Sequence, residues 1–406
     1  MKHYFLAFAL IAFTSMPAGA QDHEHGGGAE EAAKKWFENL EITVGITAAV
    51  QGASGNNDPA DASASDDADY THSVDIEFAS EIEPGHRVVV ALESGHGDGQ
   101  NARIGSSTFR PFYDPYSTVV SDSNHKEAVT VSAAYYEGTF SEGKLMLMVG
   151  KMDCHSMIDQ NAFANDETAQ FMGGPFVRQA GALYPELGKQ GQYYANGVML
   201  MLAPSDLLDI TLMAANPEDS GLGKHGHFAG QLNLKPKFLG LDGNYRFYYL
   251  KDYRDFQNIK DGSISSSNGM GVSFDQFITD NTGIFFRYGA QDAKGEVITF
   301  DGGGVYQVNH IDPLESVISG GLHFGGGAWD RKDDEAGIGY AVGKMKADLA
   351  ALDTTITGDQ TMWEVYYRWQ VFEKMGITPD VQMHSNLPRA EKRSVTFIGL
   401  RAQLDF

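Results

Sequence analysis

The sequence predicts an all-β chain: a transmembrane antiparallel β-barrel of about sixteen strands, with long extracellular loops and one of them folded into the lumen. Three observations carry that prediction. The final run, Val395 to Phe406, alternates Thr396, Ile398, Leu400, Ala402, Leu404 and Phe406 on one face with Arg401, Gln403 and Asp405 on the other. Successive strand side chains point to opposite faces, so an apolar face backed by a charged one suits a wall with lipid outside and water inside. The second observation is an N-terminal export signal, and the third is the absence of any later apolar run of the roughly eighteen residues a membrane helix needs. A chain that enters a membrane without such a helix spans it as a closed barrel, because only helices and barrels satisfy every backbone polar group in lipid.

At the N-terminus, Met1-Lys2-His3 is a weakly basic n-region, Tyr4 to Phe13 is an apolar h-region, and Pro17-Ala18-Gly19-Ala20 supplies small residues before Gln21. These mark residues 1–20 as a secretory signal cleaved after Ala20, since about ten apolar residues are too few to span a bilayer. Residues 21–38 read as a periplasmic tail containing His23, Glu24, His25 and a helix-like stretch from Glu30 to Phe37. Short histidine-containing tails of this kind are ordinarily solvated, and no cofactor or metal is assigned to it.

Residues 39–406 read as one barrel domain. Segments with the length and period of transmembrane strands fall at 39–50, 73–83, 86–95, 127–140, 143–152, 191–203, 207–215, 226–235, 240–251, 269–279, 282–291, 315–325, 335–346, 360–371, 375–384 and 394–406. Short connections such as Glu83-Pro84-Gly85, Ser141-Glu142 and Phe372-Glu373-Lys374 alternate with long ones at 52–72, 96–126, 153–190, 251–268, 292–314 and 347–359. Short turns are periplasmic and long loops external in such barrels, so an even strand number with both ends in the periplasm follows. Ala53 to Asp69 and Ser263 to Ser267 are low in complexity and read as exposed loop tips. The 47 Gly, 18 Tyr and 24 Phe suit many turns and aromatic girdles, although a secreted β-solenoid shares that composition.

A formal charge of −24 argues against nucleic acid as a partner, and loss of Lys2 with the signal makes the mature chain one unit more negative. Acidic loops keep such a chain soluble in transit and suit divalent ions among lipopolysaccharide phosphates. One cysteine, Cys154, excludes an intramolecular disulfide framework. Cys154 and its neighbour His155 read as ordinary loop residues, because the spacing supplies no further metal ligands.

If the apolar face of each strand meets lipid, the other face lines the lumen. Arg87 and Glu93 stand beside Val88, Val90 and Leu92; Arg246 stands between Tyr245 and Phe247, and Arg287 between Phe286 and Tyr288. Glu364, Tyr366, Arg368 and Gln370 alternate with Trp363, Val365, Tyr367, Trp369 and Val371, and Arg401 belongs to the last strand. A charge on the lipid face near the midplane costs about 2–4 kcal/mol, so these groups face inward. Two roles are open to the five arginines. They form ion-pair ladders with Asp75, Glu77, Glu93, Glu364 and Asp405, or some of them bind solute, since a guanidinium donates paired hydrogen bonds to vicinal hydroxyls or to anions.

The 153–190 connection is the candidate constriction. It holds Asp159, Asn161, Phe163, Asn165, Asp166 and Glu167, a mixture that suits polar groups facing lumen water while phenyl rings pack on the wall. Gly150-Lys151, the run Asp159-Gln160-Asn161-Ala162-Phe163-Ala164-Asn165-Asp166-Glu167-Thr168, and Gln170-Phe171 resemble the signature of the carbohydrate-selective porin family (OprB type) of bacterial outer membranes. Trp363 to Tyr367, Ile377 to Gln382 and the ending Gly399 to Phe406 are similar too. The terminal aromatic resembles the signal that outer-membrane barrels present to the barrel-assembly machinery.

The resemblance implies a porin passing small hydrophilic solutes, carbohydrates first, by passive diffusion across the outer membrane, in contact with lipid and lipopolysaccharide. A general or anion-preferring porin, or a barrel that sheathes a periplasmic or outer-membrane partner, is the alternative. No enzyme is expected, for neither Gly-x-Ser-x-Gly nor His-Glu-x-x-His occurs.

Overall fold

The computed structural model describes residues 37–55, 66–97, 99–101, 109–112, 129–178, 194–217, 225–258, 261–292, 295–301, 304–309, 314–346, 358–387 and 394–406. The chain divides into two units, Met1–Asn39 and Leu40–Phe406. Of the first only residues 37–39 are described, so the signal, its cleavage site and the histidine tail lie outside the described residues, as does nearly all of the helix-like stretch.

The second unit is built from strands: β1 (Leu40–Ser54), β2 (Ala68–Glu83), β3 (His86–His96), β4 (Thr130–Phe140), β5 (Leu145–Asp153), β6 (Tyr194–Ser205), β7 (Leu208–Asn216), β8 (His227–Leu234), β9 (Lys237–Phe238) and β10 (Leu241–Asn258). They are followed by β11 (Ile264–Thr279), β12 (Thr282–Gln291), β13 (Gly295–Asp301), β14 (Gly304–Asn309), β15 (Leu314–Gly325), β16 (Glu335–Met345), β17 (Gln360–Phe372), β18 (Met375–Ser385) and β19 (Ser394–Asp405). Among the described residues no helix is long and apolar enough to cross a membrane.

Sixteen of these strands form a closed antiparallel barrel. The two-residue β9 sits in a turn. Strands β13 and β14 form a hairpin between β12 and β15, which pair with each other directly. All sixteen expected segments are barrel strands. The structure adds that hairpin, begins β2 at Ala68 rather than 73, and carries β10 and β11 beyond their expected outer ends. Ile264 to Ser267, expected as a loop tip, therefore opens β11.

Closure occurs where β19 pairs with β1, from Gly45↔Asp405 to Ser54↔Thr396. The terminal residue completes the seam: Val44 donates its N–H to the Phe406 carbonyl (3.1 Å), and Phe406 donates to Val44 (2.9 Å). Pairing β1 with β19 leaves neither of these two strands as an open edge for lipid to desolvate. The short turns follow local chemistry. In Glu83-Pro84-Gly85 the proline precedes a glycine at φ +79, the left-handed position that a type II turn reserves for glycine, and Gly85 donates its N–H to Glu81.

Exposure alternates along the strands as the sequence does. On β19, Ile398 and Leu400 are exposed to the outside while Val395, Phe397 and Arg401 are buried; on β17, Trp363, Val365 and Trp369 point out while Met362, Glu364 and Tyr366 point in. Val365 lies mid-strand on the lipid face. Val365→Arg is therefore expected to destabilise the barrel by about 2–4 kcal/mol in urea unfolding from lipid vesicles, a loss that a lumen-facing model of this position excludes.

Candidate functional site

The barrel interior is occupied by the segment that follows β5. From Cys154 to Arg178 the chain turns inward, and the helix within that segment, α1 (Gly174–Val177), is a single buried turn with proline in its first turn. The two ends of this inward segment are tied together where Arg178 meets the Asp153 carboxylate (2.5 Å). Next to that tie, Cys154 and His155 are both buried. Burial pushes the Cys154 thiol up to about 12 and, with His227 and Arg178 nearby, holds the His155 imidazole well below its ordinary value. Gln231 of β8 then engages the loop backbone in both senses, accepting from the Asp159 N–H and donating to the Met157 carbonyl (both 2.9 Å).

Arg287 of β12 is the central fixture. Its Nε meets Asp159 Oδ1 at 3.2 Å, Nη2 donates to the Asp159 carbonyl (2.8 Å) and to Asn165 Oδ1 (3.1 Å), and Nη1 donates to the carbonyls of Ala164 and Phe176. All five guanidinium N–H groups are thereby used, and the side chain is fully buried. Asn161 donates to Ser273 Oγ and the Phe274 carbonyl of β11 (3.2 and 3.1 Å), while Ser273 donates back to the Gln160 carbonyl.

On the far wall, Glu364 of β17 accepts the N–H groups of Met172 (2.5 Å) and Gly173 (2.9 Å). Arg401 of β19 donates to the carbonyls of Glu167 and Gln170. Backbone polar groups that a folded-in loop would otherwise bury without partners are thus satisfied by charged wall side chains.

Apolar packing completes the attachment. Phe163 lies against Phe277 and stacks on His323 (centroids 4.8 and 5.0 Å), and Phe171 meets Phe176, Phe285 and Tyr366 at 4.8, 5.4 and 4.8 Å. Inward-facing glycines make the room. A Cβ at Gly339 of β16 would lie 2.7 Å from the Phe176 ring, and one at Gly283 of β12 would collide with the Phe163 ring.

The expected site residues therefore separate into groups. Arg287, Glu364 and Arg401 hold the loop, and Arg246 pairs with Asp275. Glu93 is buried and accepts from Tyr194 Oη at 3.4 Å. Arg87 makes a two-pronged pair with Glu137 (both 2.9 Å) and keeps 45% of its side-chain exposure, whereas Arg368 is half-buried near Glu335. The ion pairs these arginines make among the described residues include Arg87–Glu137, Arg246–Asp275 and Arg287–Asp159, whose acids are other than those of the expected ladder.

In the loop, Asn165 and Asp166 are exposed and Glu167 and Thr168 partly so. Asp159 and Asn161 were expected to face water; instead they turn to the wall, because each finds a buried partner there. Phe163 packs on the wall as expected.

Residues 109–112 of the 96–126 connection are a second inward segment that the sequence reading missed. Phe109 and Phe112 are buried, Arg110 accepts the Gly174 N–H on its carbonyl (3.0 Å), and the Pro111 carbonyl accepts from Gln382 of β18 (2.6 Å) and Gln51 of β1 (3.2 Å). Two phenylalanines flanking Arg-Pro in a long polar connection were the available signal.

A closed sixteen-strand barrel narrowed by an inward loop defines the class of bacterial outer-membrane porins, which are diffusion channels and not enzymes. Residues 59–406 match the family described as carbohydrate-selective porin, OprB family, and the chain belongs to it. It is an outer-membrane porin for passive diffusion of small hydrophilic solutes, carbohydrates among them.

Among solved structures, the high-pH form of Pseudomonas putida OprB superposes with a TM-score of 0.70 at 16% identity, over 94% of this chain and 97% of that one. The outer-membrane channel DcaP of Acinetobacter baumannii gives 0.55 at 10% identity over 90% and 97%, and a triple mutant of Rhodopseudomonas blastica porin gives 0.52 at 10% over 90% and 100%. No curated protein matches the chain by sequence.

Replacing Arg287 by Met, which keeps its bulk, removes the donors for the loop acceptors and leaves Asp159 without its buried partner. Loop docking is expected to weaken by about 3–5 kcal/mol. Limited proteolysis of the folded protein should then cut within 154–178 while the barrel resists; an uncut loop counts against the clamp.

Proposed function

We propose that solute selection takes place where charged and aromatic wall groups stay open to water once the loop is seated. The observation that supports this is the division of labour among the inward charges. Arg287, Glu364 and Arg401 are buried and committed to the loop, whereas the β2–β4 wall keeps Asp75, Glu77, Arg87, Tyr135 and Glu137 partly or fully exposed, and the loop and the β16–β17 wall keep Asp166, Glu335 and Arg368 so.

Glu77, Arg87 and Glu137 all act electrostatically on Tyr135, so the four share one neighbourhood. A half-buried tyrosine ring offers an apolar face to a pyranose, and the Arg87–Glu137 pair offers donors and acceptors spaced for neighbouring hydroxyls. Uncharged polyols satisfy both without bringing a charge into the lumen.

Around this channel, cleavage after Ala20 leaves a mature chain from Gln21, with residues 21–38 as a periplasmic tail and 39–406 as the barrel. Phe406, seated at the seam, is the residue the barrel-assembly machinery reads, and the acidic external loops sit among lipopolysaccharide headgroups.

Liposome swelling with purified refolded protein tests the proposal, using glucose, a disaccharide, an amino acid and a dicarboxylate of similar size. Sugars are expected to enter faster than size-matched solutes. Arg87→Ala is expected to reduce that preference by about tenfold, the weight of one good charged hydrogen bond. Entry that follows size alone in wild type would leave a general porin, and no entry would leave a sheath.

A further inference from the structure

Outside the solute path, the loop root buries a chain of titratable groups that neither channel formation nor solute contact uses. His155, the second loop residue after β5, places Nε2 at 3.1 Å from Nε2 of His227 on β8, with the rings edge to face at 88°. His227 Nδ1 in turn lies 3.1 Å from Asp252 Oδ2 on β10, and Asp252 also accepts from Arg254 Nε and Nη2. Both imidazoles are buried, and His155 Nδ1 has no partner. The other charges nearby are Asp153 and Arg178, already paired with each other, and the His225–Asp255 pair further out (3.7 Å).

The hydrogens are constrained by this geometry. Asp252 accepts, so His227 Nδ1 carries a hydrogen, and in the neutral pair His155 Nε2–H donates to the bare His227 Nε2. The gap between the two Nε2 atoms admits one hydrogen and not two. A first added proton leaves an N–H on His155 Nδ1 with no acceptor, and adds a buried positive charge near Arg178 and Arg254. A second places two N–H groups head to head. Either state favours separation of the loop root from the β8–β10 wall.

We propose that the His155–His227 contact is an acid-sensitive latch: it holds the root of the constriction loop against the wall at neutral pH and releases it into the lumen on acidification, closing the channel. The proposal rests on the porin reading and adds regulation to it. The docked loop prefers neutral His155, because burial, with His227, Arg178 and Arg254 nearby, outweighs the Asp252 carboxylate and holds the imidazole below its ordinary value. Docking is therefore complete above the ordinary imidazole range, about 6.5, and weakens as pH falls below it. The clamp at Arg287 involves no imidazole and persists, so release is local and reversible.

Cys154 provides a built-in reporter, since it is the chain's one cysteine, is fully buried, and adjoins His155. Refolded wild type and the His155→Gln and His227→Gln variants would be compared at about pH 7 and about pH 4.5, in planar bilayers acidified on both sides and by Cys154 labelling with a dipyridyl disulfide, which modifies thiols in acid. For wild type, acid is expected to reduce mean conductance reversibly by about twofold or more and to raise the labelling rate about tenfold, with neither change in the variants.

Acid closures that persist in both variants, or wild-type conductance and labelling indifferent to acid, would overturn the latch. Conductance absent at neutral pH would instead overturn the porin reading. If the variants fail to give a heat-modifiable folded band, nitrogen resonances of the wild-type imidazoles decide: a hydrogen shared between the two Nε2 atoms at neutral pH and lost in acid supports the latch, and two independent rings overturn it.

Discussion

Every backbone N–H and C=O in this molecule that meets lipid must find its partner within the protein, and the rest of the architecture follows from that constraint. It forces the strands to close, which they do through the register of β1 with β19 and the reciprocal bonds between Val44 and Phe406. Closure creates a wide interior, and narrowing that interior brings the same constraint back. A loop that folds inward carries its own polar backbone, and burying it without partners would cost more than its packing returns. The inward charges of β12, β17 and β19 resolve this second demand: Arg287 and Arg401 supply donors to loop carbonyls, and Glu364 supplies an acceptor for loop N–H groups.

Polar satisfaction alone would leave the loop poorly specified, because long charged side chains adjust. Shape fixes it. Phe163, Phe171 and Phe176 fill spaces opened by Gly283, Gly337 and Gly339, so the wall is small where the loop is large. Each buried ring contributes on the order of 1.5–3 kcal/mol of transfer free energy, and the glycines pay in strand propensity. Two kinds of complementarity, charge to backbone and ring to glycine, therefore act on the same segment.

Strand number and facing were legible in the sequence because lipid selects one face of every strand along its whole length, so the period-two signal repeats sixteen times. The last strand states it most clearly, and Arg401 and Arg287 face inward as the alternation requires. What the alternation does not encode is what an inward side chain meets. Asp159 and Asn161 look like water-facing groups in a polar run, yet each points to a strand more than a hundred residues away in the chain. Pairings of that separation leave no local period. The same limit hid the Phe109 to Phe112 segment and the β13–β14 hairpin, which lie in connections where no lipid face imposes a pattern.

The location of the clamps gives the interior a direction. Arg287, Glu364 and Arg401 sit on the wall from β12 to β19, and the aromatic cluster around Phe171 is on that side as well. On the wall from β2 to β4, Asp75 and Arg87 remain exposed, and Tyr135 and Glu77 are partly covered. In the proposed path a solute meets two unlike surfaces: a packed loop whose exposed face carries Asn165 and Asp166, and a partly exposed wall with a tyrosine among charged groups. Charge that is fully committed to holding structure exerts little pull on a passing solute, because its field is already matched by close partners. Under the proposed reading, selectivity falls to the inward groups that the loop leaves exposed, which are not the groups that clamp it.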